Sequence, residues 1–147
     1  MIEIRPLEPA EVETVDAVLP LHRLDHEGDS TYMVAWDGER PVGHAHVAWD
    51  DTELGMPELQ DFFVLPDRRS QGIGTNLTEA AERLVTERGY HECSIGVSVS
   101  NAAARRLYET LGYRAVDRPP KRVAGMIDLR GKPVEVDDEI VFLTKRL

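Results

Sequence analysis

The run VLPDRRSQGIGT, residues 64–75, joins two segments of different periodicity. Before it, Glu58 to Leu65 carries Leu59, Phe62, Phe63, Val64 and Leu65 and stops at Pro66, which predicts a buried strand. After it, Ile73, Leu77, Ala80, Ala81, Leu84 and Val85 fall at i, i+4, i+7, i+8, i+11 and i+12, the stripe of an amphipathic helix. Gly89 sits where a left-handed cap would end that helix. Gly72 and Gly74 permit close approach to the backbone where the helix begins, and a helix start offers unpaired N–H groups and partial positive charge. The turn therefore predicts an anion site, most naturally for phosphate. It is neither of two common phosphate loops: no Gly-Lys-Ser or Gly-Lys-Thr ending is present, and the dinucleotide fingerprint lacks its third glycine. A strand-to-helix turn that needs glycine for geometry alone would read the same way.

Working outward, Ile2 and Ile4 alternate as a short strand, and Pro9 to Leu19 places Val12, Val15, Ala17, Val18 and Leu19 at helical spacing. His22 to Ser30 reads as loop or irregular helix. Thr31 to Trp36 and Pro41 to Trp49 are apolar runs separated by Asp37 and Gly38, a hairpin signal. Beyond the central helix, Cys93, Ile95, Val97 and Val99 alternate with Ser94, Gly96 and Ser98, again a strand, and Asn101 can cap a helix through Leu107, Tyr108 and Leu111. Tyr113 to Val116 and Ile140 to Thr144 close the pattern as strands, with Arg118 to Asp138 read as a long turn-rich connection. The order predicts a mixed α/β sheet of about seven strands with helices on its faces, in one domain over residues 1–147.

Composition narrows the function. The chain carries 17 Lys and Arg against 27 Asp and Glu, a formal net charge of −10, which disfavours binding along a nucleic-acid backbone. A chain of this length buries roughly 70% of its unfolded surface and needs no metal or disulfide staple. Cys93 is the only cysteine, which points to a reducing, cytoplasmic setting. No stretch reads as a membrane span or secretory signal. The charge is uneven: Met1 to Asp61 holds 15 acids and three arginines, whereas Phe62 to Leu147 holds 12 acids and 14 bases.

Two blocks together carry a family resemblance. Val64 to Gly74 resembles the central motif of the GCN5-related N-acetyltransferases, Arg or Gln, two residues, Gly, one residue, Gly or Ala. The second family block follows as Asn101 to Tyr113, NAAARRLYETLGY. The resemblance implies a fold with a splay between the fourth and fifth strands, and acetyl-CoA as cosubstrate with no metal. It implies that the backbone N–H groups of Arg69, Ser70, Gln71, Gly72, Ile73, Gly74 and Thr75 hold the pyrophosphate. By the same resemblance Phe63 and Val64 pair with the pantetheine arm, and Asn101 contacts that arm besides capping its helix. A primary amine would attack the thioester directly.

Such an amine arrives protonated, since an alkylamine titrates near about 10.4, so a base and an acid are both required. Tyr108 stands where the family places the tyrosine that protonates the departing sulfur. Glu58, at the start of the motif strand, and Asp61, which interrupts it, are the candidate bases, acting directly or through water. His44 and His46 share a strand face; two ligands are too few for a metal, and they are candidates for the acceptor cleft wall. Cys93 reads as a core residue, and Arg105 and Arg106 as a solvated helix face within reach of phosphates. The acid-rich first part, expected to face the acceptor, predicts a cationic small-molecule amine. A non-catalytic acyl-CoA sensor and a protein N-terminal or lysine acetyltransferase are the alternatives. Family members commonly form homodimers, and no sequence feature marks an interface.

Overall fold

A computed structural model describes residues 1–147. Strand β1 (Ile2–Pro6) leads through a 3-10 turn (Pro9–Glu11) into α1 (Val12–Val18); β2 (Ser30–Asp37), β3 (Arg40–Ala48) and β4 (Glu58–Val64) follow. Then come α2 (Ile73–Glu87), β5 (Glu92–Ser98), α3 (Ala102–Thr110), β6 (Arg114–Ala115), β7 (Lys121–Leu129) and β8 (Lys132–Arg146). The eight strands form one mixed sheet in the order β1-β2-β3-β4-β5-β8-β6, with β7 also on β8. Only β4 and β5 run parallel; the other pairs are antiparallel.

Alternation along β3 assigns its two faces. Gly43 faces α2 closely: a Cβ there would meet Leu77 Cδ1 at 3.1 Å and Ile73 Cγ2 at 3.3 Å. Ala45 and Val47 share that face, where Leu77, Ala80, Ala81 and Val85 of α2 are buried. His44 and His46 point to the other face, covered by the segment that follows α1: the Nε2–H of His44 donates to Pro20 O at 2.9 Å. Both histidines are fully buried, so the expectation that they line an open cleft does not hold.

Two irregularities in β4 shape the site. Its ladder with β3 shifts between His44↔Phe63 and His46↔Gln60, so Asp61 and Phe62 oppose Ala45 alone in a bulge, with Asp61 at φ 50°. Its ladder with β5 contains only Glu58↔Ser94 and Leu59↔Ile95, after which the strands part. The splay expected between the fourth and fifth strands is thus present.

The stretch read as a turn-rich connection is a correction. Lys121 to Leu129 and Lys132 to Arg146 form a regular hairpin, paired from Lys121↔Ile140 to Leu129↔Lys132. Its two-residue turn has Arg130 at φ 54° and Gly131 at φ 86°, the doubly left-handed geometry that matches strand twist. The ladder escaped the pattern because both its faces are largely exposed, Met126, Ile127 and Val134 included, and period-two alternation marks only a half-buried strand.

The buried histidines make stability pH-dependent. Desolvation pushes His46 down to about 4 and holds His44 below its ordinary range, against the partly opposing pull of Asp61. In the unfolded chain both titrate near about 6.5, so below that value the unfolded chain binds more protons than the folded one. Stability is therefore expected to fall as pH drops from about 6.5 toward 4, with the two histidines contributing no slope above that window. Urea midpoints should be lower at about pH 5 than at about pH 7.5, with a smaller gap in His46→Gln.

Candidate active site

The glycine turn folds as an open cradle. Ser70 and Gly72 take left-handed φ values of 65° and 80°, and Gly72 stands at the N-cap of α2 without any side chain capping the helix. The first N–H of α2 to find a helical carbonyl is that of Asn76, bonded to Gly72 O at 3.0 Å. The N–H groups of the first turn are left for a ligand. A cavity of about 270 Å³ lies over them, lined by Val64, Arg68, Arg69, Ser70, Gly72, Ile73, Gly74, Thr75 and Leu107. Gly74 is informative: its φ is ordinary and a Cβ there would meet nothing within 4 Å, so neither backbone geometry nor packing demands glycine. A Cβ would instead project into open space, so glycine here leaves the backbone open to close approach. Arg69 is held beside it, its Nε–H donating to Val64 O at 3.1 Å, while Arg68 is spent on Asp37 at 2.6 Å. Arg105 faces Glu109 one turn along α3, at 3.6 Å.

The gap between β4 and β5 forms a narrow slot of about 170 Å³. Leu59 to Phe62 form one wall, Ile95 to Ser98 the other, and Asn101, Ala104 and Tyr108 sit at the α3 side. Asn101 Oδ1 accepts the Ala104 N–H at 3.1 Å, so it is a helix cap, and its amide nitrogen remains available to the slot.

Three tyrosines are buried near this site, and their hydroxyls separate them. Tyr113 donates to Glu82 Oε2 at 2.8 Å and lies 3.3 Å from Cys93 Sγ; Tyr32 donates to Asp61 Oδ2 at 2.6 Å. Tyr108 is 9% exposed, its ring rests against Phe62 and Tyr113, and its hydroxyl has no protein partner. Desolvation alone pushes it up to about 12, so it is held protonated with a proton to give. Cys93 is fully buried and pushed up to about 11, first by desolvation, which fits a core thiol.

The two candidate carboxylates are separated by the splay. Glu58 lies where β4 and β5 are still paired; its Oε2 accepts from Gln60, and its Oε1 is buried without a partner. Asp61 lies at the bulge and lines the slot. On the same side of the sheet the β7–β8 hairpin reaches back to the segment after α1. Arg130 Nη1 donates to Asp16 Oδ1 at 2.7 Å and to Leu21 O at 3.2 Å, and its guanidinium holds Asp16 below the usual carboxylate range. Nearer the β3–β4 loop, Arg118 and Lys121 both donate to Glu53 at 2.7 Å. Beneath the hairpin tip is a cavity of about 530 Å³, lined by Asp16, Pro20, His22, Leu129, Arg130, Lys132 and Val134. His22 went unnoticed in the sequence, where a lone histidine in a loop carries no signal.

A parallel strand pair that parts beside a glycine-built helix start, within a sheet of this order, defines the class of acyl-coenzyme A-dependent transferase folds. The chain belongs to the acetyltransferase (GNAT) family, whose model matches residues 2–113. It is similar to N-alpha-acetyltransferase 30 of Schizosaccharomyces pombe, 32% identical over 92 residues, covering 60% of each chain. It is 31% identical over 90 residues to mycothiol acetyltransferase of Clavibacter sepedonicus, covering 60% of this chain and 29% of that one. The match thus spans less than two thirds of either relative. A GNAT family acetyltransferase from Elizabethkingia anophelis with acetyl-CoA bound shares the fold, with a TM-score of 0.68, 19% identity and coverage of 99% of this chain and 98% of that one.

Proposed function

We propose that this chain, one N-acetyltransferase domain over residues 1–147, transfers the acetyl group of acetyl-CoA to a primary amine of a cationic small molecule. The observation that carries this reading is the pairing, at the two ends of the β4 splay, of a glycine cradle at the start of α2 with a slot lined by Tyr108, whose hydroxyl has no protein partner. The N–H groups of residues 69–75 hold the pyrophosphate, and β4 beyond Leu59, including Phe63 and Val64, offers unpaired backbone groups to the pantetheine amides. The Asn101 amide meets the same arm. A backbone N–H near Val64 stabilises the oxyanion as the amine attacks, and Tyr108 protonates the sulfur that leaves. Proton removal belongs to the Asp61 end of the slot rather than to Glu58, which lies on the paired side of the splay. Carboxylates at Glu58 and Asp61, within the acid-rich first part of the chain, favour a cationic acceptor. The lone, buried Cys93 supports action in the reducing cytoplasm.

The test is coenzyme A thiol release across polyamines, aminoglycosides, amino acids and short peptides. Release with cationic small amines, slowing as salt is raised, is the expected result. Faster release with peptide N-termini would favour the second reading, protein acetylation, which the likeness to N-alpha-acetyltransferase 30 supports. Tight acetyl-CoA binding without release on any amine would make the chain a sensor instead.

A further inference from the structure

The acceptor end of the slot is organised by three residues far apart in sequence. His22 Nδ1 lies 3.3 Å from Asp61 Oδ1, and the His22 backbone N–H donates to Asp61 Oδ2 at 3.1 Å. Tyr32 Oη donates to that same Oδ2 at 2.6 Å. Tyr32 is itself fixed, because the Arg23 N–H donates to its oxygen at 2.8 Å and its ring lies against His44 and His46. Asp61 is thus an 11% exposed carboxylate with both oxygens occupied, while His22 is 52% exposed. A carboxylate only accepts, so His22 must turn Nδ1–H toward it and keep its lone pair on Nε2. That nitrogen has no protein partner, and His22 lines the cavity beneath the hairpin while Asp61 lines the slot. The pair bridges the two spaces that an acceptor amine and a thioester would fill.

Resting on the acetyltransferase reading above, we propose that His22 Nε2 is the general base and that Asp61 is the positioning residue that sets its tautomer. The acceptor ammonium gives one proton to Nε2. The freed lone pair forms a C–N bond at the thioester carbonyl, and the C–S bond breaks as the sulfur takes the Tyr108 proton. The second nitrogen proton, lost as the amide forms, restores the Tyr108 hydroxyl. The imidazolium then releases its proton to water, for a net of one proton per acetyl transferred. Asp61 is poorly suited to be the base itself, since protonating it would break the hydrogen bonds that hold it. The groups around His22 are Asp61 from β4, Asp16 from α1, His44 from β3, and Arg130 and Lys132 from the hairpin.

His22→Gln should lower kcat about 10²-fold at neutral pH with acetyl-CoA affinity unchanged. Free imidazole should restore part of the rate to His22→Ala, which a purely structural role would not allow. Asp61→Asn should also lower kcat, and the double variant should be no slower than His22→Gln by more than about threefold. Nitrogen-15 spectra should place the neutral His22 proton on Nδ1 in the wild type and move it in Asp61→Asn. A His22→Gln enzyme within about threefold of wild-type kcat, or a proton found on Nε2, overturns the assignment. The two failures are distinguishable: no thiol release by the wild type removes the acetyltransferase reading and this role together, whereas full activity in His22→Gln removes this role alone.

Discussion

Tyr108→Phe is expected to fold normally, bind acetyl-CoA with unchanged affinity and turn over about 10²-fold more slowly. The ring that packs on Phe62 and Tyr113 is retained, and the hydroxyl removed has no protein hydrogen bond to lose. What disappears is a phenol held protonated up to about 12 by its buried setting, in the slot between β4 and β5. Tyr113→Phe is the matched control. Its hydroxyl is committed to Glu82 and Cys93, so its loss should cost about 1 kcal/mol of stability and leave kcat nearly intact. Stopped thiol-release assays on both variants, with thermal melts beside them, separate the cases. A Tyr108→Phe enzyme within about threefold of wild-type kcat would remove the acid role.

Gly74→Asp should weaken acetyl-CoA binding about 10²-fold or more while leaving the melting temperature nearly unchanged. Its Cβ has open space, so the folded protein has little to lose; the new carboxylate stands where the cradle would hold an anion. Gly74→Ala makes the argument sharper, because two effects have opposite signs. Alanine inside a helix is favoured over glycine by about 0.5 kcal/mol, so the unliganded protein should gain slightly in stability while its affinity for acetyl-CoA falls. Isothermal titration of coenzyme A and acetyl-CoA reads the second effect directly. Unchanged affinity in both variants would mean that the cradle binds no pyrophosphate.

Local features of the sequence were legible where the signal is local. The stripe from Ile73 to Val85, the Asp37-Gly38 turn and the cap at Asn101 each depend on neighbours within a turn or two, and each is found where expected. The β7–β8 hairpin was not legible, since a ladder exposed on both faces leaves no buried stripe and its Arg130-Gly131 turn lacks the usual Asn or Asp. His22 was hidden for a different reason: it meets Asp61 across 39 positions, through a bulge that no short pattern announces. Charge counting had partial value. Asp16, Asp29, Asp37 and Glu53 pair with Arg130, Arg88, Arg68 and the Arg118–Lys121 couple, so four acids of the first part are spent on five bases of the second and do not face an acceptor as free charge.

The left-handed backbone of Asp61 has a consequence for how this protein can change. A residue with a Cβ held at φ 50° carries about 1 to 2 kcal/mol that glycine would not. The position is therefore a fault line between durability and turnover: selection for heat resistance alone would drift toward glycine there and discard the carboxylate. The aspartate offsets that cost with contacts glycine cannot make, accepting from Tyr32 Oη and the His22 N–H and facing the His22 ring.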